Sequence, residues 1–369
     1  MNLKNIAYTL IACSLLLVSC GKEDKKVETT ASGLNPARFA STVDSGESIK
    51  MYALKNDKGM EVCLTNLGMR IISVMVPDKD GNFQDVALGF DNIAPYKEMN
   101  NFMGSVLGRY AGRIANGAFV VSRAGFSNLT KNDGNNTLNS GPTGFHSRAF
   151  RIEQSDENTI TGIYVAKNKE GGFPGDMELK VTYTLTNDNA LDIQYEAFSN
   201  MSTIINITNQ CYFNLSGNPA NGIANHILYV NADNYTPTDE HLIPTGKIES
   251  VKDTNFDFTT PKPIHGDYDV NLVLINYDSE TNLAARVECL QSGIMMEVLT
   301  TEPGLGLSTG NELNNLQGKN EVVYNKQSGF SLTTQHFPNS ANVEGFPSTA
   351  LYPGDVFQSH TIYKFSVKK

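Results

Sequence analysis

Leu179-Lys180-Val181-Thr182-Tyr183-Thr184-Leu185-Thr186-Asn187-Asp188-Asn189-Ala190-Leu191-Asp192-Ile193-Gln194-Tyr195-Glu196 decides the fold class. Leu179, Val181, Tyr183 and Leu185 alternate with polar residues, and Leu191, Ile193 and Tyr195 do the same. A period of two places one face of a strand on a core and the other in water. Asn187-Asp188-Asn189 joins the runs with residues that bond to their own backbone in turns, which predicts a hairpin. Outward from it the pattern recurs: Ile72, Val74 and Val76 alternate ahead of Pro77-Asp78-Lys79-Asp80-Gly81, a strand and then a turn. Few windows hold a helical repeat for more than two turns, and 31 glycines punctuate the chain. The reading is all-β, a large antiparallel β-sandwich.

With 369 residues, 40% hydrophobic and 18% charged, the chain suffices for one large β domain or two ordinary ones. No low-complexity stretch or Pro-rich linker divides residues 49–369, so one domain is expected. The net charge of -10, from 29 Lys+Arg against 39 Asp+Glu, argues against nucleic acid as a partner, because phosphates demand a basic face. At the other end, Lys4 precedes an apolar run from Ile6 to Val18 that is too short for a permanent membrane helix and reads as an export signal. Leu17-Val18-Ser19-Cys20 looks like a bacterial lipobox, with residues 1–19 removed and Cys20 lipidated; the alternative is an ordinary signal peptide with an incidental cysteine. Residues 20–48, rich in Lys, Glu, Asp, Thr and Ser, read as a flexible tether. The expectation is an exported lipoprotein, periplasmic or on the cell surface, that meets the membrane through its anchor only. Cys63, Cys211 and Cys289 then remain in the domain, where one disulfide is allowed and none is required. No Cys or His spacing suggests a metal, and no glycine pair sits in a strand–helix cradle for a phosphate cofactor.

Across residues 50–367 a set of segments occurs in order. Val76-Pro77-Asp78, Asp85-Val86-Ala87-Leu88-Gly89-Phe90 and Gly108-Arg109-Tyr110-Ala111-Gly112-Arg113-Ile114-Ala115 come first, followed by Gly172-Phe173-Pro174-Gly175. Asn206-Ile207-Thr208-Asn209-Gln210-Cys211-Tyr212-Phe213-Asn214-Leu215, Tyr235-Thr236-Pro237 and Ile243-Pro244-Thr245-Gly246 continue the series, with Phe256-Asp257-Phe258, Thr301-Glu302-Pro303-Gly304 and Thr309-Gly310-Asn311 after them. Together they resemble the aldose 1-epimerase (galactose mutarotase) family. The resemblance implies that family's galactose mutarotase-like supersandwich, an open sugar-binding cleft, a small-molecule sugar or glycan partner and no cofactor.

Mutarotation needs one group to take the anomeric hydroxyl proton and another to protonate the ring oxygen, so that C1 opens and recloses on either face. In the family the base is a Glu in Leu-Glu-Thr-Gln, the acid is a His in Asn-His-Ser-Tyr-Phe-Asn, and a second His in Leu-His-Gly-Gly binds near the ring oxygen. By that resemblance the base position here is Thr333, the acid position Gln210, and the second His position Asn139; Gly112 stands where an Asn usually precedes the family arginine. These side chains hydrogen-bond but do not exchange protons near pH 7. The polar constellation expected to hold a sugar is Arg113, Asn139, Gln210, Tyr212, Asp269 and Glu302. Rescue of catalysis would fall to Glu302 or to His336, three residues past Thr333, with His146 near the Asn139 loop.

Plainer roles compete for the same residues. Arg113 can pin loops, Asp269 can cap its own turn, and Gln210 can be a solvated strand residue. Phe145, Phe173 and Tyr212 are offered as stacking platforms but are better read as core, and His226, His241 and His265 as residues of surface loops. The absence of Trp leaves any stacking to Phe or Tyr. The favoured expectation is a sugar-binding lipoprotein with weak or no mutarotase activity. An active aldose 1-epimerase with relocated catalytic groups is the alternative, and a structural envelope protein with a filled cleft the third possibility.

Overall fold

The computed structural model describes residues 29–43, 46–98, 102–121, 125–275, 277 and 280–368. The export signal, Cys20 and the first part of the tether lie outside the described residues. The hairpin read from the sequence is present: strand Met177–Leu185 pairs with Ala190–Ser199 in antiparallel register, Val181 opposite Tyr195 and Thr184 opposite Asp192. It sits inside a nine-stranded antiparallel sheet. The strand that completes this sheet is the last one, Phe357–Val367, which inserts between Ala190–Ser199 and Ile294–Thr300.

A six-stranded sheet packs over it, in the order Tyr212–Phe213, Phe330–Gln335, Gly304–Ser308, Asp269–Leu274, Ala232–Thr236, Glu249–Ser250. Between the two layers, Tyr363 Oη donates to the Leu332 carbonyl at 3.1 Å, the Thr334 and Thr361 hydroxyls meet at 2.6 Å, and the Phe213 ring lies 5.2 Å from that of Tyr363. One face of the six-stranded sheet is therefore consumed by the core, and its alternate residues point the other way.

Two expectations need correction. Strand Arg70–Pro77 is buried at every position but its last, because a four-stranded sheet that includes it is covered on both faces. The later part of the expected tether is folded: Leu34 and Phe39 are buried in one cluster with Ile49 and Ile72, Ser41–Thr42 pairs with Ser48–Ile49, and Ala31 N–H donates to Glu61 at 2.7 Å. The domain thus begins near Ala31, ahead of residue 49. Cys63, Cys211 and Cys289 are all buried free thiols.

Candidate functional site

The outward face of the six-stranded sheet floors a cavity of about 500 Å³. Along strand Phe330–Gln335, Ser331, Thr333 and Gln335 line it while Leu332 and Thr334 face the core. Thr333 lies opposite Gly306 in the neighbouring strand, and a Cβ at Gly306 would collide with the Thr333 side chain. That glycine keeps open the space above the base position.

Gln210 and Tyr212 enter from the next strand and its approach. Gln210 Nε2 donates to Tyr212 Oη at 3.1 Å, and Tyr212 Oη donates in turn to Glu312 Oε1. Burial, with the Glu312 carboxylate adding to it, pushes the Tyr212 phenol far up, so it stays a neutral donor. The asparagines around this segment hold backbone in place. Asn206 bonds to Ala111 and His336 carbonyls at 3.0 and 3.1 Å, Asn209 to the Gly104 carbonyl at 2.7 Å, and Asn214 to the Ser328 carbonyl at 2.9 Å. Much of the signature motif is thus the frame on which the acid position is mounted.

Arg113 and Asn139 come from a small pair of strands, Arg113–Ile114 and Thr137–Leu138, that forms one wall. Asn139, at φ 49°, accepts the Gly112 N–H on Oδ1 at 2.8 Å, which leaves its amide donor for a ligand. Gly112 itself sits at φ 81°, where a Cβ would come within 3.2 Å of Pro338. Arg113 Nε donates to Asp133 at 2.8 Å, and its Nη1 lies 3.8 Å from Asp269. Desolvation by the cavity walls raises the Asp269 carboxyl above the usual carboxylate value, against the pull of Arg113 and with a push from Glu312 and Asp133.

Of the residues expected at the site, Arg113, Asn139, Gln210, Tyr212, Asp269 and Thr333 line this one cavity. Glu302 and His336 do not, and both assignments are corrected. Glu302 is buried in the connection between Ile294–Thr300 and Gly304–Ser308, and its Oε2 lies 2.7 Å from His336 Nδ1 in a hydrogen bond. Burial would lower the His336 imidazole, but Glu302 outweighs it and holds the ring above its ordinary value. Both lie beyond strand ends, His336 one residue past Phe330–Gln335 and Glu302 between Ile294–Thr300 and Gly304–Ser308, where alternation no longer fixes the direction of a side chain. His146 is likewise removed from the cavity floor. It is buried under Phe102, ring edge to ring face at 4.8 Å, and pushed down to about 3 by burial and by Arg70 and Arg148. His226, expected in a surface loop, is buried in a strand and accepts the Leu215 N–H on Nε2 at 2.8 Å.

Two lining residues carried no signal in the motifs. Glu312 follows the Thr309-Gly310-Asn311 segment by one residue and supplies a second carboxylate to the cavity. Phe102 is half-buried and lines it too, the aromatic surface that Phe145 and Phe173, both buried in the core, do not supply. Among the described residues no cluster of His, Cys, Asp and Glu could hold a metal ion.

Comparison with known proteins places this geometry. The sequence pattern described as Aldose 1-epimerase matches residues 50–364. Galactose mutarotase from Mus musculus is 37% identical over 339 residues, covering 89% of this chain and 97% of that protein. Aldose 1-epimerase from Escherichia coli K12 is 30% identical over 334 residues, covering 87% of this chain and 96% of its own length. The crystal structure of a GalM/aldose epimerase homologue from C. elegans superposes with a TM-score of 0.81 at 28% identity, over 86% of this chain and 99% of the other. A galactose 1-epimerase from Lactobacillus acidophilus gives a TM-score of 0.77 at 26% identity, over 89% and 98%. With sequence and fold matched over nearly the whole described domain, this chain belongs to the aldose 1-epimerase family.

Proposed function

We propose that this protein is a carbohydrate-binding lipoprotein on the aldose 1-epimerase fold, with little or no mutarotase activity. The observation that carries the reading is the make-up of the cavity: Gln210, Thr333 and Asn139, which the resemblance aligns with the family acid, base and ring-oxygen positions, all line it. An amide and a hydroxyl can hold sugar hydroxyls but cannot exchange protons near neutral pH. Arg113, Asp269, Tyr212 and Phe102 add charged, polar and aromatic contacts suited to a pyranose. An open cavity of this size also counts against a purely structural role with a filled cleft. The lipobox around Cys20 supports anchoring to a membrane, in the periplasm or at the cell surface. Cys20→Ser is expected to move the chain from the membrane to the soluble fraction; retention in the membrane would remove the anchor from this reading.

The activity is tested by proton NMR of freshly dissolved α-glucose and α-galactose, with saturation-transfer spectra recorded on the same samples. The expected result is saturation transfer to sugar protons and β-anomer appearance at the spontaneous rate. A clear acceleration would overturn the binding-only reading. It would then favour the active-epimerase alternative with Asp269 and Glu312, the two carboxylates that line the cavity, as the proton-transfer groups, and Asp269→Asn and Glu312→Gln should abolish it.

A further inference from the structure

A second cavity, of about 510 Å³, adjoins the first and shares two of its lining residues, Arg113 and Leu242. Its wall mixes amides and carboxylates, from Asn116, Asn135, Asn136, Asp133, Asp239 and Glu240, with apolar surface from Ala115, Leu242 and Ile243. Arg113 stands between the two spaces, with Nε toward Asp133 on one side and Nη1 toward Asp269 on the other. A guanidinium has five N–H donors, so one side chain can serve hydroxyls in both cavities. Leu242 is the second shared residue. It is 38% exposed and held at φ 59°, an unusual backbone for a branched apolar residue, at the tip of a loop. Asp239 Oδ1 fixes that tip by accepting the His241 and Ile243 N–H groups at 2.9 and 3.0 Å, and Thr238 bridges to Pro244 across its base. The loop is therefore built to present an apolar surface over the junction, where the carbon face of a sugar ring would pass.

We propose that the second cavity is a subsite for the next unit of a glycan, so that the cleft takes an oligosaccharide free of carboxylate and sulfate groups rather than a lone hexose. The proposal rests on the carbohydrate-binding reading above. Dense amide and carboxylate lining matches the alternating donors and acceptors of sugar hydroxyls. The surplus of negative charge follows from Asp133, Asp239, Glu240, Asp269 and Glu312 against Arg113, and it disfavours an anionic chain.

The test is calorimetric titration of the full chain with glucose, galactose and mannose, each compared with its own disaccharide and trisaccharide and with a galacturonic acid trimer. For any monosaccharide that binds, the trisaccharide should bind about tenfold tighter or more, and the uronic acid trimer more weakly than the neutral one. In Asn135→Trp, which fills the second cavity from an exposed loop position, the ratio of trisaccharide to monosaccharide affinity should fall toward one; Glu240→Ala should lower it in part. Monosaccharide binding with no gain on lengthening the chain would overturn the subsite while leaving the carbohydrate-binding reading intact. A gain that survives Asn135→Trp would also overturn it, by placing the extra contacts elsewhere. Absence of binding by every sugar would sink the carbohydrate-binding reading itself, and the subsite with it.

Discussion

Gln210→His combined with Thr333→Glu is expected to accelerate mutarotation of glucose or galactose by on the order of 10²–10⁴-fold over the parent chain, the usual yield of positioned proton transfer. The site is prepared for both side chains. Thr333 is held in register opposite Gly306, whose missing Cβ leaves the space that a longer carboxylate needs. Gln210 follows a strand pinned by Asn209, and its amide already reaches Tyr212 Oη, which could receive or orient an imidazole in its place. Asn139 should be left alone, because its Oδ1 holds the Gly112 N–H and a histidine would forfeit that bond. Either single substitution should recover far less than the pair, since acid and base act as one unit. The rate should follow a bell-shaped pH profile. It falls on the acid side as the new carboxylate protonates, near pH 4.3 for an ordinary Glu, and on the alkaline side as the imidazole loses its proton, near 6.5. Anomer-resolved NMR measures this directly. A double variant that folds and binds sugar yet shows no acceleration would mean that something other than the lost acid and base silences the cleft.

The sequence carries the floor of this cavity more fully than its rim. Alternation from Leu179 to Tyr195 was enough to predict the hairpin because one face is buried, and burial on one face is what a period of two records. Six of the residues expected at the site line one cavity because they ride on strands and strand-paired loops, where position along the chain converts directly into position in space. Glu302 and His336 were misplaced because both lie just past strand ends, where alternation no longer tells which way a side chain points. Glu312 and Phe102 lack even a motif to point to them. They lie in irregular segments, where no periodicity tells which way a side chain points, and their entry into the cavity depends on contacts made by distant strands. Leu34 and Phe39 were hidden for a simpler reason: two apolar residues scattered among Thr, Ser and Glu have the composition of a linker, and only their docking beside Ile49 makes them core.

The asparagines of the signature motif serve the fold rather than the cavity. Asn206 and Asn214 donate to the backbone carbonyls of Ala111, His336 and Ser328, each bond costing about 1–3 kcal/mol if lost, and Asn209 adds a second donor to the Gly104 carbonyl that also accepts the Ile71 N–H. Gln210, among them, bears no such duty, because its amide reaches only Tyr212 Oη in the cavity. The framing asparagines carry structural bonds and Gln210 carries none, so overall similarity reports the fold more directly than the reaction.

The same distinction predicts a costly single substitution outside the cleft. Asp85, which opens the Asp85-Val86-Ala87-Leu88-Gly89-Phe90 motif, has no contact with the cavity; it meets Lys319, a lysine only 6% exposed. Lys319 Nζ donates to Asp85 Oδ2 at 2.6 Å and to the Ile72 carbonyl at 2.7 Å, joining segments more than 200 residues apart in sequence. Burial alone would lower the lysine, yet Asp85 outweighs it and holds the ammonium above its ordinary value, so the charge persists inside the fold. Asp85 Oδ1 meanwhile accepts the Val74 and Ala87 N–H groups at 3.1 and 3.3 Å. Asp85→Asn keeps an acceptor for those bonds but strands the ammonium, and the expected loss is about 3–5 kcal/mol of unfolding free energy, read from urea denaturation. Lys319→Met, which removes the buried charge and leaves Asp85 with its two N–H donors, should cost less. Adding Lys319→Met to Asp85→Asn should recover part of the loss, giving a coupling energy that a double-mutant cycle measures. A loss below about 1 kcal/mol for Asp85→Asn, or strict additivity of the two substitutions, would show that the ammonium reaches water and that the motif is retained for some other reason.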